Sequence, residues 1–493
     1  MGELLRAALK TGGGSVGFLL LGMLATKIMA VVLGPSGVGL YSLLRQTVDL
    51  CKGIGTVGGE AALVQGLASR KGEEQDSYLV TTFWAFALGC SLIVAGLLAF
   101  APWIALWVFD RNDGQTVNMV RGLALPAALW VASTYINGVL NGFRAIGLLA
   151  LLQVLGTGAM ALLAYPVSRL VEVGYPIAFI VVLSAPPAVS VVLGVWSALR
   201  AGWLSPLVRS VGIRLDPASL RHFSSFAGTT FVTGLVATGT VLAVRSLIIR
   251  YDGLAGAGVF AAAWTLSMAY IMLALASFGT YYMPTLSQTD EHLDRTALMQ
   301  QVMRLATLTT VPLIVGVVVL KPLAVQILYS GEFTSSLEII RWMLIGDYFK
   351  VAAWVVAVPA LAFADMKVYF WTELLWHAGF LACAALALTG FDSTQGIGIG
   401  FLLMYVLYLA YYMHYARSRH RFSLRGSVVR SWVLGLALVV GASWYTWSDT
   451  QVNWLTAILW VVAAVSFSWL SLDREERERV LHMLRRRKEA GNG

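Results

Sequence analysis

The chain has 493 residues, 58% of them apolar and only 12% charged, with a formal net charge of +9 and a mean hydropathy of +0.74. A soluble chain carries roughly 25% charged residues, so the composition excludes a string of water-soluble domains and points to a polytopic membrane protein. Cys51, Cys90 and Cys383 are the three cysteines, and all lie in apolar runs without partners at disulfide or zinc-ligand spacing, which excludes a disulfide framework and a zinc site.

Apolar runs predict fourteen transmembrane helices, at 11–33, 38–60, 78–101, 119–141, 148–168, 175–199, 223–249, 255–283, 302–320, 338–363, 368–388, 396–416, 428–447 and 453–471. With the N-terminus in the cytoplasm, the loops on that side hold 22 of the 35 Lys and Arg residues, and the opposite loops hold Arg111, Arg169, Arg250 and Lys321. The positive-inside rule therefore places both termini in the cytoplasm. The first apolar run is too long for a cleavable signal peptide and lacks an A-x-A site.

The first span carries Lys27. The second carries Arg45, Asp49 and Lys52 at i, i+4 and i+7, on one helical face that cannot point at lipid. Trp103, Trp107, Trp444, Trp447 and Trp454 fall near outer span ends and read as an interfacial aromatic belt. Pro126, Pro186–Pro187, Pro312 and Pro359 are expected to interrupt their spans. The segment 200–222 pairs Trp203, Leu204, Leu207, Val208 and Val211 with Arg200, Arg209, Arg214 and Arg221, the pattern of a cytoplasmic amphipathic linker at the membrane surface.

Arg245 lies late in the seventh span without an acidic partner on its own helix. Asp347 and Lys350 stand three apart in the tenth span, and Glu373 and His377 four apart in the eleventh. Arg121, Arg304, Arg341 and Arg430 lie near span ends, where a long side chain snorkels to water. Asp49 and Asp347 also fit plain structural ion pairs with the cations beside them. Counted together, the spans hold nine basic residues against fewer acidic ones, among them Asp49, Glu60, Asp347 and Glu373, so a hydrated path through them attracts an anion. Clusters at Arg417, Arg419, Arg421 and Arg425, and at Arg485, Arg486, Arg487 and Lys488, read as anchors for anionic headgroups and not as a nucleic-acid surface.

The chain matches itself at a shift of 218 to 220 residues: Lys27 with Arg245, Gly37 to Ser42 with Gly256 to Ala261, and Val120–Arg121 with Ile340–Arg341. Six helices per unit is an even number, so both units enter the membrane in the same sense. The expected architecture is two parallel six-helix repeats around a central cavity plus two C-terminal helices. Its parts are a bundle at 1–199, the linker at 200–222, a second bundle at 223–416, helices 13 and 14 at 417–471, and a basic cytoplasmic tail at 472–493.

Four stretches resemble a known family. They are Lys27 to Asp49, containing Gly34-Pro35-Ser36-Gly37-Val38-Gly39-Leu40-Tyr41 and Arg45-Gln46; Asn141-Gly142-Phe143-Arg144; Pro284-Thr285-Leu286-Ser287; and Phe333-Thr334 with Gly346-Asp347-Tyr348-Phe349-Lys350-Val351. The chain is similar in them to the Wzx-type flippases of lipid-linked oligosaccharides, within the multidrug/oligosaccharidyl-lipid/polysaccharide exporter superfamily, and most to the branch that handles lipid III. Helices 13 and 14 exceed that branch's usual twelve-helix plan.

The resemblance implies a transporter and not an enzyme. Its substrate is an undecaprenyl-pyrophosphate glycolipid moved from the cytoplasmic to the periplasmic leaflet of the bacterial inner membrane by alternating access, for cell-surface polysaccharide biosynthesis. It implies no cofactor, membrane lipid as surroundings, a proton or sodium ion as the candidate coupling ion, and a polysaccharide polymerase as a candidate partner. Lys27, Arg45, Lys52, Arg245 and Lys350 are the expected substrate-binding residues, and Asp49, Asp347 and Glu373 the expected ion-coupling ones. Two relatives of that reading stay open, a lipid II flippase and another exporter of the superfamily. A membrane glycosyltransferase or polymerase would need a large periplasmic loop, and the longest here has about seventeen residues.

Overall fold

The computed structural model describes residues 2–209, 216–289, 292–472 and 476–478. The expected anchors Arg214 and Arg485, Arg486, Arg487 and Lys488, and Val211 of the linker, lie outside the described residues. The described elements are helical: α1 (Gly2–Thr56), α2 (Glu60–Ser69), α3 (Glu73–Ala99), α4 (Ala101–Phe109), α5 (Gly114–Gly122), α6 (Ala124–Gly142), α7 (Ile146–Glu172), α8 (Phe179–Arg200), α9 (Ser205–Arg209), α10 (Pro217–Gln288), α11 (His292–Leu328), α12 (Ser336–Ala362), α13 (Met366–Phe391), α14 (Gln395–His420), α15 (Gly426–Tyr445) and α16 (Trp454–Ser471). Short 3-10 turns stand at Pro176–Ala178 and Gly331–Phe333. Among the described residues, twelve helical segments are long and apolar enough to cross a membrane. The chain is an all-helical integral membrane protein.

Twelve, where the apolar runs suggested fourteen, follows from two continuities. The spans read at 11–33 and 38–60 run together in α1, and those at 223–249 and 255–283 run together in α10. Each long helix contains one non-helical residue, Gly34 (φ 62°, ψ −166°) in α1 and Gly253 (φ 68°, ψ −169°) in α10. Without a Cβ, glycine reaches this conformation at little steric cost, and helical bonding resumes directly on both sides. The two kinks have nearly the same dihedrals and stand 219 positions apart.

Contact between the two kinked segments repeats that offset. A Cβ on Gly39 would lie 2.0 Å from the carbonyl oxygen of Leu254, and a Cβ on Gly258 would lie 2.0 Å from that of Pro35. Each glycine meets the residue equivalent to the one met by the other, so the crossing is self-complementary.

The chain divides into two compact units, Met1–Ala261 with Ile327–Phe333, and Ala262–Gln326 with Thr334–Gly493. In the first, Leu63, Leu67, Tyr78, Phe86, Tyr135, Val139 and Leu140 form one buried cluster. The two tyrosines keep their hydroxyls satisfied there, Tyr78 donating to Ala62 O at 2.9 Å and Tyr135 to Leu79 O at 2.9 Å. The segment expected at the membrane surface turns inward in part: Leu204 joins this cluster, Leu207 packs against it, and Trp203 stacks on Phe143 at 5.1 Å, while Val208 stays exposed. Asp113 caps α5 by accepting from Thr116 N at 2.9 Å, and Asp216 caps α10 by accepting from Ser219 N at 2.9 Å.

In the second unit α12 is the most deeply buried helix. Tyr348 donates to Trp432 O at 2.6 Å, tying α12 to α15, and Phe380, Phe401 and Trp376 bring α13 and α14 together through their rings.

Several local expectations are corrected. Lys321, read as an outer-loop residue, lies within α11 because the helix runs on to Leu328. It is 1% exposed, and its ammonium donates to Thr446 O (2.7 Å), Thr446 Oγ1 (2.9 Å) and Val318 O (3.3 Å). It closes the C-terminus of α15, where orphan carbonyls favour a cation. Glu60 is not in a span; it opens α2 and is exposed. Pro186 and Pro187 lie inside an uninterrupted α8, as Pro312 does in α11 and Pro359 in α12. Pro126 sits in the first turn of α6, where no intrahelical bond is lost. Trp447 is half-buried and not a free belt residue, packing edge-on against Trp342 at 5.0 Å and under the Arg341 guanidinium at 4.5 Å. Arg304, expected to snorkel, donates to Ser471 O at 2.7 Å and pairs with Glu476 at 3.1 Å.

Candidate functional site

Two sets of polar residues lie inside apolar helices, one in each unit. In the first unit, the i, i+4, i+7 spacing on α1 puts Arg45, Asp49 and Lys52 on one face, as the helical period requires. Arg45 Nε donates to both Asp49 carboxylate oxygens, at 3.2 and 3.1 Å. The guanidinium of Arg45 lies 4.5 Å from the ring centre of Trp130 on α6, and the ammonium of Lys52 lies 5.5 Å from the same ring. One indole thus serves two cations, and the attraction is electrostatic. About a third of each side chain of the Arg45–Asp49 pair stays accessible.

Arg245 on α10 reaches the same stretch of α1. Its Nη1 donates to Ser42 O at 2.7 Å while its Nε has no hydrogen-bond partner among the described residues, and the residue is 6% exposed. Lys27, in the same unit, donates from its ammonium to Tyr329 O. The structure therefore brings Arg45, Asp49, Lys52 and Arg245 around one segment of α1. Three cations against one carboxylate leave this segment electropositive.

In the second unit, Asp347 on α12 is fully buried and accepts from Ser267 Oγ at 3.0 and 2.9 Å and from Tyr270 OH at 2.7 Å. One turn on, Lys350 directs its ammonium to the Met268 thioether at 3.0 Å, with the rings of Tyr405 and Phe401 at 5.7 and 6.0 Å. Glu373 on α13 accepts from Tyr408 OH at 2.6 Å and has His377 Nε2 at 3.8 Å. Lys350, Glu373 and His377 line a cavity of about 510 Å³ together with Trp354, Trp376, Tyr369, Tyr405 and Tyr408. Its size is that of a small-molecule pocket, roughly 300–1,000 Å³. Asp347 is locked behind this cavity's lining by its three hydrogen bonds, whereas Glu373 and Lys350 face it.

Charged residues inside apolar spans were the sequence signal for both sets. It missed their aromatic halves. Trp130, Tyr405 and Tyr408 look like ordinary span residues, although Tyr405, Tyr408, Tyr412 and Tyr415 recur at a helical spacing on α14 and pack ring to ring along it.

A family profile described as "Polysaccharide biosynthesis protein" matches residues 9–290, more than half of the chain. The chain belongs to that family. A lipid III flippase of Escherichia coli (strain K12) is 25% identical to this family member over 381 residues, covering 76% of the chain and 88% of the relative, and one of Shigella flexneri aligns equally. Among solved structures, the lipid II flippase MurJ in an inward closed conformation superposes with a TM-score of 0.68 at 15% identity, covering 94% of this chain and 98% of that one. An inward-facing multidrug resistance MATE family transporter of the MOP superfamily superposes at 0.65, also at 15% identity, covering 81% and 94%. At those identities the likeness establishes the fold, which is that of the MOP-superfamily transporters.

Proposed function

We propose that this protein is a flippase that carries an undecaprenyl-diphosphate-linked oligosaccharide from the cytoplasmic to the periplasmic leaflet of the inner membrane by alternating access, in the synthesis of a cell-surface polysaccharide. The observation that carries the reading is the alignment with lipid III flippases over 88% of their length, within a polysaccharide biosynthesis family. The electropositive segment of α1 agrees with it. A diphosphate is anionic, and Arg45, Lys52 and Arg245 supply guanidinium and ammonium donors in a setting where charge-assisted hydrogen bonds are strong. Lys27 and Lys350 are assigned supporting contacts with the substrate.

In this reading each kinked helix crosses the membrane twice. On either side of the kink at Gly34, the two arms of Gly17–Thr56 are each about 25–35 Å long at 1.5 Å per residue, close to the ~30 Å hydrocarbon thickness. Reversal at Gly34 and Gly253 gives fourteen crossings with both termini cytoplasmic. The matched kinks and the self-complementary glycine crossing support two six-helix repeats followed by α15 and α16. Among the candidate coupling residues, Glu373 is favoured over Asp347 for proton or sodium binding because it faces a cavity, while Asp49 is assigned to restraining Arg45.

The test is reconstitution in phosphatidylethanolamine–phosphatidylglycerol vesicles with a fluorescent undecaprenyl-diphosphate oligosaccharide. Protein-dependent movement of the label between leaflets, read by a membrane-impermeant quencher, is the expected result. Movement no faster than in protein-free vesicles refutes the reading.

A further inference from the structure

We infer that a groove on the first unit, between α3, α6 and α8, holds one acyl chain of an anionic phospholipid whose headgroup is bound by Arg200 and Arg209. The inference does not depend on the flippase reading.

The groove is an open cavity of about 380 Å³, and the segment that follows α8 adds Leu204, Leu207 and Val208 to its wall. None of its described lining residues belongs to α1 or α10, so it is separate from the cations around Arg45. Its chemistry is that of hydrocarbon. Among the described lining residues the polar side-chain atoms are the Tyr135 hydroxyl and the Cys90 thiol alone. Tyr135 already donates to Leu79 O at 2.9 Å, and a thiol is a weak donor. A sugar, a nucleotide or a phosphate entering the groove would give up hydrogen bonds to water and regain almost none. An acyl chain gives up nothing, and a concave wall offers it more dispersion contacts than the convex face of a single helix.

Length agrees with such an occupant. Lining positions on α8 run from Val191 to Leu199, about 12 Å at 1.5 Å per residue. That is most of the ~15 Å that one leaflet contributes to a hydrocarbon core of ~30 Å. α8 ends at Arg200, directly after the last of these positions, so a chain lying along the groove brings its polar end to the level of that arginine.

This end of the groove is cationic. Leu199 and Val208 both line it, and Arg200 and Arg209 are the residues that follow them. The Arg200 guanidinium lies 3.9 Å from the centre of the Trp196 ring, which holds it at the end of α8 without neutralising it. Arg209 is exposed, and neither arginine has a carboxylate partner among the described residues. Two guanidiniums with open donors match the oxygens of a phosphodiester. Phosphatidylethanolamine would bring its own ammonium beside them, whereas phosphatidylglycerol adds no positive charge, so the pair selects the anionic lipid.

The experiment is native mass spectrometry of the full-length, delipidated protein in detergent, with phosphatidylglycerol and phosphatidylethanolamine of identical acyl chains. Wild type is expected to bind phosphatidylglycerol at least about fivefold more tightly, the attraction of roughly one arginine near a membrane surface. The double variant Arg200→Gln, Arg209→Gln is expected to bind both lipids alike, at the wild-type level for phosphatidylethanolamine. Ala87→Phe and Ala132→Phe each enlarge a side chain in the lining and are expected to weaken both lipids at least about threefold. Arg121→Gln, on α5 and outside the lining, is expected to behave as wild type. Undecaprenyl diphosphate in excess is expected to bind alongside phosphatidylglycerol without displacing it. Equal affinity of wild type for the two phospholipids overturns the site, as does a preference that survives in the double arginine variant. Unchanged lipid binding in a folded alanine variant overturns the groove as the place of the acyl chain. A preference lost equally in Arg121→Gln marks diffuse surface charge, and displacement by undecaprenyl diphosphate gives the groove to that lipid; either result also overturns the inference.

Discussion

Gly39 and Gly258 cross so closely that a methyl group on either would lie 2.0 Å from a backbone carbonyl oxygen of the other segment. The obstacle is backbone, which cannot rotate away as a side chain can, so the helices themselves must separate. Gly39→Ala and Gly258→Ala are each expected to destabilise the protein by about 1–3 kcal/mol, the usual cost of overpacking. Gly96, in α3, has open space where its Cβ would be, and Gly96→Ala is expected to be neutral or slightly stabilising. Thermal unfolding in detergent distinguishes them; equal melting temperatures for all three variants would remove the crossing as a structural constraint.

Lys321 makes a second testable prediction. Its ammonium is held by two oxygens of Thr446 and one of Val318, so burial is compensated by three hydrogen bonds. Lys321→Met keeps the apolar stem and strips those bonds from the end of α15. A loss of about 1–3 kcal/mol is expected. Adding Thr446→Val removes one of the orphaned acceptors, so the double variant is expected to lose less than the two single losses combined. Strict additivity in a double-mutant cycle would mean that the lysine and threonine do not act on each other.

The contrast between Lys321 and the α1 cations marks what the sequence makes legible. Arg45, Asp49 and Lys52 were readable because a helical period needs only spacing to place three residues on one face. Lys321 was not readable, since the apolar run ends at 320 and a lone lysine after it has the pattern of a loop; only the arrival of the α15 C-terminus, a contact between residues more than a hundred positions apart, explains its burial. The same limit applies to the site. Charge inside an apolar run announces a polar locus, but Trp130, Trp376 and Tyr408 acquire their roles from neighbouring helices, and nothing in local composition separates them from residues that face lipid. Gly34 and Gly253 show the converse. Each falls in the short gap between two apolar runs, yet that two helices would follow one another there across a single non-helical glycine depended on conformation and not on hydropathy.

Charge balance at α1 predicts opposite effects from the two halves of one ion pair. Asp49 occupies Arg45 through two hydrogen bonds, so in the proposed function it competes with a diphosphate for the guanidinium. Asp49→Asn is expected to tighten binding of undecaprenyl diphosphate about three- to tenfold, whereas Arg45→Ala is expected to weaken it by a similar factor or more. A purely structural pair behaves differently, because breaking it from either side leaves an uncompensated partner. If both variants lowered the melting temperature and weakened the lipid equally, Arg45 would be a structural residue. Native mass spectrometry with the bare lipid supplies the measurement.

The helix caps supply a pH dependence. Asp113 is held below the ordinary aspartate pKa chiefly by the Thr116 backbone N–H and then by the Thr116 hydroxyl. Asp216 is held below it chiefly by the Ser219 hydroxyl and then by the Ser219 backbone N–H. In each case the folded state favours the ionised carboxylate, so the unfolded chain binds more protons at acid pH and stability rises with pH there. The contribution is complete above the unfolded aspartate pKa of about 3.9 and is lost as pH falls through the lower folded value. Thermal unfolding followed from pH 6 down to pH 3 is therefore expected to fall more steeply in wild type than in the double variant Asp113→Asn, Asp216→Asn. The double variant should also be the less stable of the two at pH 6, because an amide caps these N-termini without the carboxylate's charge. Parallel curves for the two proteins across that range would show that the caps contribute nothing to acid sensitivity, whatever their geometry.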